Sequence, residues 1–145
     1  MAEVYVLDTS ALTALLRNEP GAEEVERLLR GAESGTVQLL ASFVTLTELR
    51  YIIWRAQGES AAERMMQLLR TWRITWVYPD EELCHMAAAL KATHQMSLAD
   101  AYIAATAQHH HAELVHKDPE FGSLDGLVAL APLPYKPRRS EHESR

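Results

Sequence analysis

Apolar residues in this chain fall into two rhythms, short and largely apolar runs and longer stretches with helical spacing. Glu3 to Leu7 and Val37 to Ala41 are runs of the first kind and read as buried strands. Ile74 to Val77, Glu113 to Val115 and Val128 to Leu130 extend the set to five. Between them lie helical patterns. Ala11 to Leu16 is broken by Pro20-Gly21, and Ala22 to Gly31 is paced by Val25, Leu28 and Leu29. Thr45 to Gln57 carries Leu46, Leu49, Ile53 and Trp54 along one face, and a further helix runs from beyond Gly58 to about Trp72. Pro79-Asp80 starts a long helix to about His94, and Ser97 caps the next, which ends near His109-His110-His111. Strands alternating with helices predict an α/β fold with a parallel sheet covered on both faces.

Composition narrows the class. With 145 residues, 48% of them hydrophobic, the chain suffices for one ordinary domain with a full core. We place that domain at 1–131 and a solvated tail, rich in Pro, Arg, Ser and Glu, at 132–145. No apolar run is long enough to span a bilayer, and no charged-then-apolar leader precedes the first strand, so a cytoplasmic setting is expected. The lone Cys84 allows neither a disulfide framework nor a thiolate cluster and is expected to be a small buried hydrophobe. A net charge of −6 argues against a general nucleic-acid coat protein. It does not exclude a nucleic-acid enzyme whose own metal site contributes part of that charge.

The acids carry the candidate chemistry. Asp8 ends the first strand, Glu48 and Asp100 stand at helix starts, and Asp118 follows the fourth strand. In a parallel α/β sheet such positions converge on one edge, where ligands bind. Carboxylates gathered there repel one another unless a hard divalent cation lies among them. Each also has a plain structural reading. Asp8 can cap the helix after it, as can Thr9 or Ser10. Thr45-Leu46-Thr47-Glu48 fits a capping box, and Ser97-Leu98-Ala99-Asp100 resembles one. Asp118 before Pro119 is good turn chemistry. Capping and metal binding are compatible, since a helix N-terminus keeps a carboxylate ionised.

Taken together, Leu7-Asp8-Thr9-Ser10-Ala11-Leu12, Thr47-Glu48-Leu49, Leu98-Ala99-Asp100-Ala101-Tyr102-Ile103-Ala104-Ala105 and Asp118 to Phe121 resemble the motifs of PIN-domain ribonucleases. Length and motif spacing are similar to the VapC-type toxins of toxin–antitoxin pairs, and the likeness spans residues 3 to about 131. It implies a three-layer fold with a central, mostly parallel sheet of four or five strands and helices on both faces. It also implies that Asp8, Glu48, Asp100 and Asp118 hold Mg²⁺ or Mn²⁺, supported by Thr9 or Ser10. The implied activity is metal-dependent hydrolysis of single-stranded or loop RNA (tRNA or rRNA), leaving a 5′ phosphate and a 3′ hydroxyl. The implied partners are a small VapB-type antitoxin and a second copy of the chain.

The resemblance has one departure. Where the family places a small hydroxyl residue, two positions before the last aspartate, this chain has His116. His116 could donate to phosphate, replace a supporting contact or face elsewhere. Glu120 is a candidate fifth acid. Arg17, Arg50, Arg55 and Lys117 are candidate phosphate contacts, Lys117 the best of the group, although a solvated surface charge is the plainer reading for each of the four.

Other features carry less. His109-His110-His111 looks like a metal tract, but neighbouring helix residues diverge, and partial protonation at a helix C-terminus is the simpler expectation. Trp54, Trp72 and Trp76 are expected in the core or at an interface. A phosphoacceptor receiver needs paired acids after its first strand, and a haloacid-type phosphatase needs Asp where Ser10 stands. The remaining rivals share the fold: a housekeeping RNA-processing nuclease and a non-catalytic binding module.

Overall fold

The computed structural model describes residues 2–134, with the side chain of Glu120 excepted. It contains five strands: β1 (Glu3–Leu7), β2 (Val37–Ser42), β3 (Ile74–Val77), β4 (Glu113–His116) and β5 (Ala129–Pro132). The helices are α1 (Thr9–Leu16), α2 (Ala22–Ser34), α3 (Phe43–Gln57), α4 (Glu59–Thr71), α5 (Glu81–Thr93) and α6 (Leu98–His109), with a 3₁₀ turn at Pro119–Leu124. Every strand foreseen from the apolar runs is present, and each long helical pattern forms a helix.

The strands pair in the order β3-β2-β1-β4-β5, all parallel. The chain first builds outward from β1 through β2 to β3, then returns to the other side of β1. Right-handed crossovers therefore lay the helices of the two journeys on opposite faces. Alternation along each strand serves both layers. Leu7, Leu39 and Val115 join the core under α1 to α4, while Val6, Leu40 and Leu114 join the core under α5 and α6. Leu7, Leu12, Leu39 and Leu49 are essentially inaccessible, each burial contributing ~1.5–3 kcal/mol.

Between β1 and β4 the build order reverses, which opens a crevice beyond the carboxyl ends of the strands. Asp8 lies at this switch point, its backbone N–H bonded to the Val115 carbonyl at 3.0 Å.

The structure corrects several local expectations. Helix α1 begins at Thr9, with Asp8 itself as the cap; the Asp8 carboxylate accepts from the Ser10 backbone N–H. Helix α3 begins at Phe43 and is capped by Ser42, whose Oγ accepts from Val44 N–H, so Thr45-Leu46-Thr47-Glu48 is not a capping box. Glu48 sits in the second turn, too far along to reach back to the cap. At α6 the expected cap holds, with Ser97 Oγ accepting from Asp100 N–H at 3.0 Å. Cys84 is exposed rather than buried. Leu83, Ala87 and Leu90 are the buried face of α5, and the residue after Leu83 is turned about 100° from it. Strand β5 includes Pro132, and Leu133 is buried with its N–H on the His116 carbonyl. Residues 135–145, where most of the expected tail falls, lie outside the described residues.

Candidate active site

Each candidate side chain reaches the crevice for a local reason. Asp8 is delivered by the end of β1 and fixed by its capping role. Ser10 holds it twice, through the backbone N–H at 3.2 Å and through a short Oγ–H bond to the same carboxylate oxygen. Ser10 Oγ in turn accepts from the Lys117 backbone N–H at 2.9 Å. One serine thus ties the acid after β1 to the loop after β4, which carries Asp118.

Glu48 comes from the second turn of α3 and accepts from Thr9 Oγ1 at 2.7 Å. Thr9 Oγ1 also lies 2.9 Å from Thr45 Oγ1. Asp100 projects from the first turn of α6. Asp118 precedes the 3₁₀ turn, where its carbonyl accepts from Phe121 N–H.

These elements enclose a cleft of about 400 Å³ lined by Asp8, Glu48, Asp100 and Asp118, with Thr9, Ser10 and Lys117. All four expected acids and three of the four expected supporting residues therefore share one cleft. His116, the fourth, does not line it. Its side chain has the same strand parity as Leu114 and packs on Phe121, ring centroids 5.3 Å apart. Neither ring nitrogen has a hydrogen-bond partner of normal geometry. Burial pushes the imidazole below its ordinary value, and the backbone and carboxylate of Asp118 offset this only in part.

Arg17, Arg50 and Arg55 are not in the lining either. Arg50 pairs with Glu63 at 2.8 Å, and Arg55 lies over the Tyr51 ring.

Thr13, Glu19 and Ile52 also line the cleft and went unnoticed in sequence. Helical spacing could have found two of them, since Thr13 lies four residues after Thr9 and Ile52 four after Glu48. Glu19 had no such signal. It follows α1 in an irregular stretch where Asn18 adopts φ 52°.

The electrostatics centre on Asp8. Burial raises its carboxyl to about 7, hydrogen bonds from Ser10 oppose the rise, and the charges of Asp100 and Glu48 add to it. As the side chains stand, no three His, Cys, Asp or Glu among the described residues are arranged to hold a metal ion. The donor chemistry nonetheless fits a hard divalent cation. The cleft offers oxygen donors, and Asp8 is a buried acid burdened by neighbouring negative charge, which a cation would relieve.

The histidine run ends α6. The His110 imidazole is pushed below its ordinary value by burial first and then by the charges of His109 and His111. Trp72 and Trp76 pack on the core, while Trp54 is 46% exposed beside Tyr51 on α3. The side chain of Glu120 lies outside the described residues.

A family profile described as the PIN domain matches residues 5–127. Among solved structures, the VapBC-1 complex of nontypeable Haemophilus influenzae contains a chain similar to this one at 26% identity, with a TM-score of 0.68. The match covers 89% of this chain and 97% of that one. A toxin–antitoxin complex from Klebsiella pneumoniae matches at 25% identity and TM-score 0.67, covering 92% and 99%. The DNA-bound VapBC of Salmonella typhimurium shares the fold at TM-score 0.73 with 16% identity, covering 91% and 98%. No curated protein matches in sequence.

Proposed function

The chain belongs to the PIN domain family, and from that premise we propose that it is a metal-dependent endoribonuclease acting as the toxin of a toxin–antitoxin pair. The observation that carries the proposal is the convergence of four acids from four separate elements on the cleft at the β1/β4 switch point. Asp8, Glu48, Asp100 and Asp118 would hold Mg²⁺ or Mn²⁺. A divalent cation there supplies charge neutralisation and activates water for attack on phosphorus.

The chain's own groups do the positioning. Ser10 and Thr9 hold two of the acids by hydrogen bonds, so the anionic surface is organised before substrate arrives. Lys117 provides a cation at the rim for the phosphate next to the scissile one. Water adds to phosphorus, the bond to the 3′ oxygen breaks, and that oxygen takes the proton. The products are a 5′ phosphate and a 3′ hydroxyl. An open cleft of this kind suits unstacked, single-stranded RNA, in loops of tRNA or rRNA, better than a helix.

A small VapB-type antitoxin is the proposed inhibitor and a second copy of the chain the proposed oligomer partner. Two observations support this. The Haemophilus and Klebsiella structures are complexes of toxin–antitoxin type. The α3–α4 hairpin leaves Tyr51, Trp54 and Leu68 exposed, more apolar surface than one core uses. Among the described residues no helix is long and apolar enough to cross a membrane, in keeping with the cytoplasmic site proposed. We also propose a single nuclease domain followed by an appended tail, with the boundary moved from 131 to beyond Leu133, because Pro132 ends β5 and Leu133 is buried.

The test is cleavage of a mixed tRNA and rRNA pool in Mg²⁺ or Mn²⁺ by wild type and Asp100→Asn. EDTA-sensitive cutting by wild type alone is expected. Equal cutting by both proteins, or none by wild type freed of any bound inhibitor, would overturn the assignment.

A further inference from the structure

Most threonines inside helices here turn back on their own backbone. Thr13 donates to the Thr9 carbonyl, Thr93 to Ala89 and Thr106 to Tyr102, the usual i−4 bond. Thr45 does otherwise. It is completely buried in the first turn of α3, and its hydroxyl reaches across to Thr9 Oγ1 on α1 at 2.9 Å.

The direction of that bond follows from counting protons. A threonine hydroxyl has one hydrogen to give. Thr9 gives its hydrogen to Glu48 Oε1 at 2.7 Å, so between the two threonines Thr45 must be the donor. The result is a directed chain, Thr45 O–H to Thr9 O–H to the Glu48 carboxylate, in which each bond polarises the next. Thr9 is only 8% exposed, so bulk water is poorly placed to replace the donor.

We propose that Thr45 is a positioning residue for the acid cluster: it locks the Thr9 hydroxyl into the orientation that aims Glu48 at the cleft. The inference rests on the metal-site reading of the preceding section. The chain starts and ends on α3 and passes through Thr9, the residue after Asp8, so a pair of hydroxyls with no charge of their own ties Glu48 to the first turn of α1. Without the Thr45 donor, the buried Thr9 oxygen loses its partner and its proton is no longer directed to Glu48. Groups that orient metal ligands in this way typically change affinity or activity by roughly 10- to 100-fold when removed.

The experiment compares wild type, Thr45→Val and Thr45→Ser as full chains stripped with EDTA. Mn²⁺ binding is read by titration calorimetry and by paramagnetic resonance, RNA cleavage at limiting Mn²⁺, and folding by urea unfolding in EDTA. Valine keeps the shape and loses the donor, whereas serine keeps the donor and loses a methyl. Thr45→Val should bind Mn²⁺ and cleave roughly 10- to 100-fold more weakly, with Thr45→Ser close to wild type.

Equal Mn²⁺ affinity in Thr45→Val and wild type would overturn the inference, as would equal impairment of both variants, the mark of a packing role. A wild-type chain that binds no Mn²⁺ overturns the metal reading itself, and this inference with it. If Thr45→Val does not fold, Thr45→Ala takes its place under the same criteria.

Discussion

Replacing Asp8 with Asn should stabilise the metal-free protein at neutral and alkaline pH. In the folded chain the Asp8 carboxyl is raised from 3.8 to about 7 by burial, with Asp100 and Glu48 adding to the effect. A raised value means that the folded state holds the proton more tightly than the unfolded state. The stability this provides is complete below about pH 4, declines as pH rises, and is gone above about pH 7. The shift of about three units corresponds to roughly 4 kcal/mol at 1.36 kcal/mol per unit, an upper bound because water entry and side-chain relaxation soften the penalty.

Asparagine cannot ionise, yet its amide oxygen can still accept from the Ser10 N–H and Oγ that hold Asp8. Urea unfolding of both proteins in EDTA, followed by circular dichroism from pH 4 to pH 8, reads the difference directly. The two curves should lie within about 1 kcal/mol at pH 4 and separate by up to about 4 kcal/mol at pH 8 in favour of Asn. Saturating Mg²⁺ should close the gap by stabilising wild type alone. A gap independent of pH, or wild type more stable than Asn at pH 8 in EDTA, would refute the reasoning.

Three further outcomes follow from the same contacts. Ser10→Ala removes the hydroxyl that links Asp8 to the Lys117 backbone and should weaken Mn²⁺ binding roughly 10- to 100-fold, measured by calorimetry; unchanged affinity would count against the link. Ser42→Ala removes the α3 cap and should cost about 1 kcal/mol in urea unfolding, whereas Thr45→Ser should not show a capping loss. Cys84 is exposed, so a thiol reagent should label it stoichiometrically in the native protein without changing RNA cleavage; protection until unfolding would restore a buried thiol.

What the sequence made legible, and what it hid, divides along the range of the interactions. The strands were readable because the later residues of β1 and β2, Val6-Leu7 and Leu39-Leu40-Ala41, are buried on both faces and are apolar in unbroken succession, and the helices because their inner faces repeat at fixed spacing. The strand order was not legible, but in a parallel sheet the residues that follow the strands share one edge, so the convergence of Asp8 and Asp118 there could be foreseen from positions about 110 residues apart.

The misreadings sit where several polar residues crowd a helix start. Asp8, Thr9 and Ser10 can all cap α1, and Ser42 and Thr45 can both cap α3; the hydroxyl content is the same in either register. Tertiary contact decides between them. Thr9 is drawn to Glu48 and Thr45 to Thr9, which leaves Asp8 and Ser42 as the caps. His116 shows the converse limit. A motif comparison places it beside the last acid, but strand parity sends its ring to Phe121 on the opposite face. Cys84 was lost to a turn of about 100°, the step that separates one helix residue from the next. Spacing along the chain thus identifies which acids share a cleft. Which hydroxyl aims each acid depends on contacts across elements such as that of Thr45 with Thr9, between residues 36 apart, and these appear only once the helices have packed.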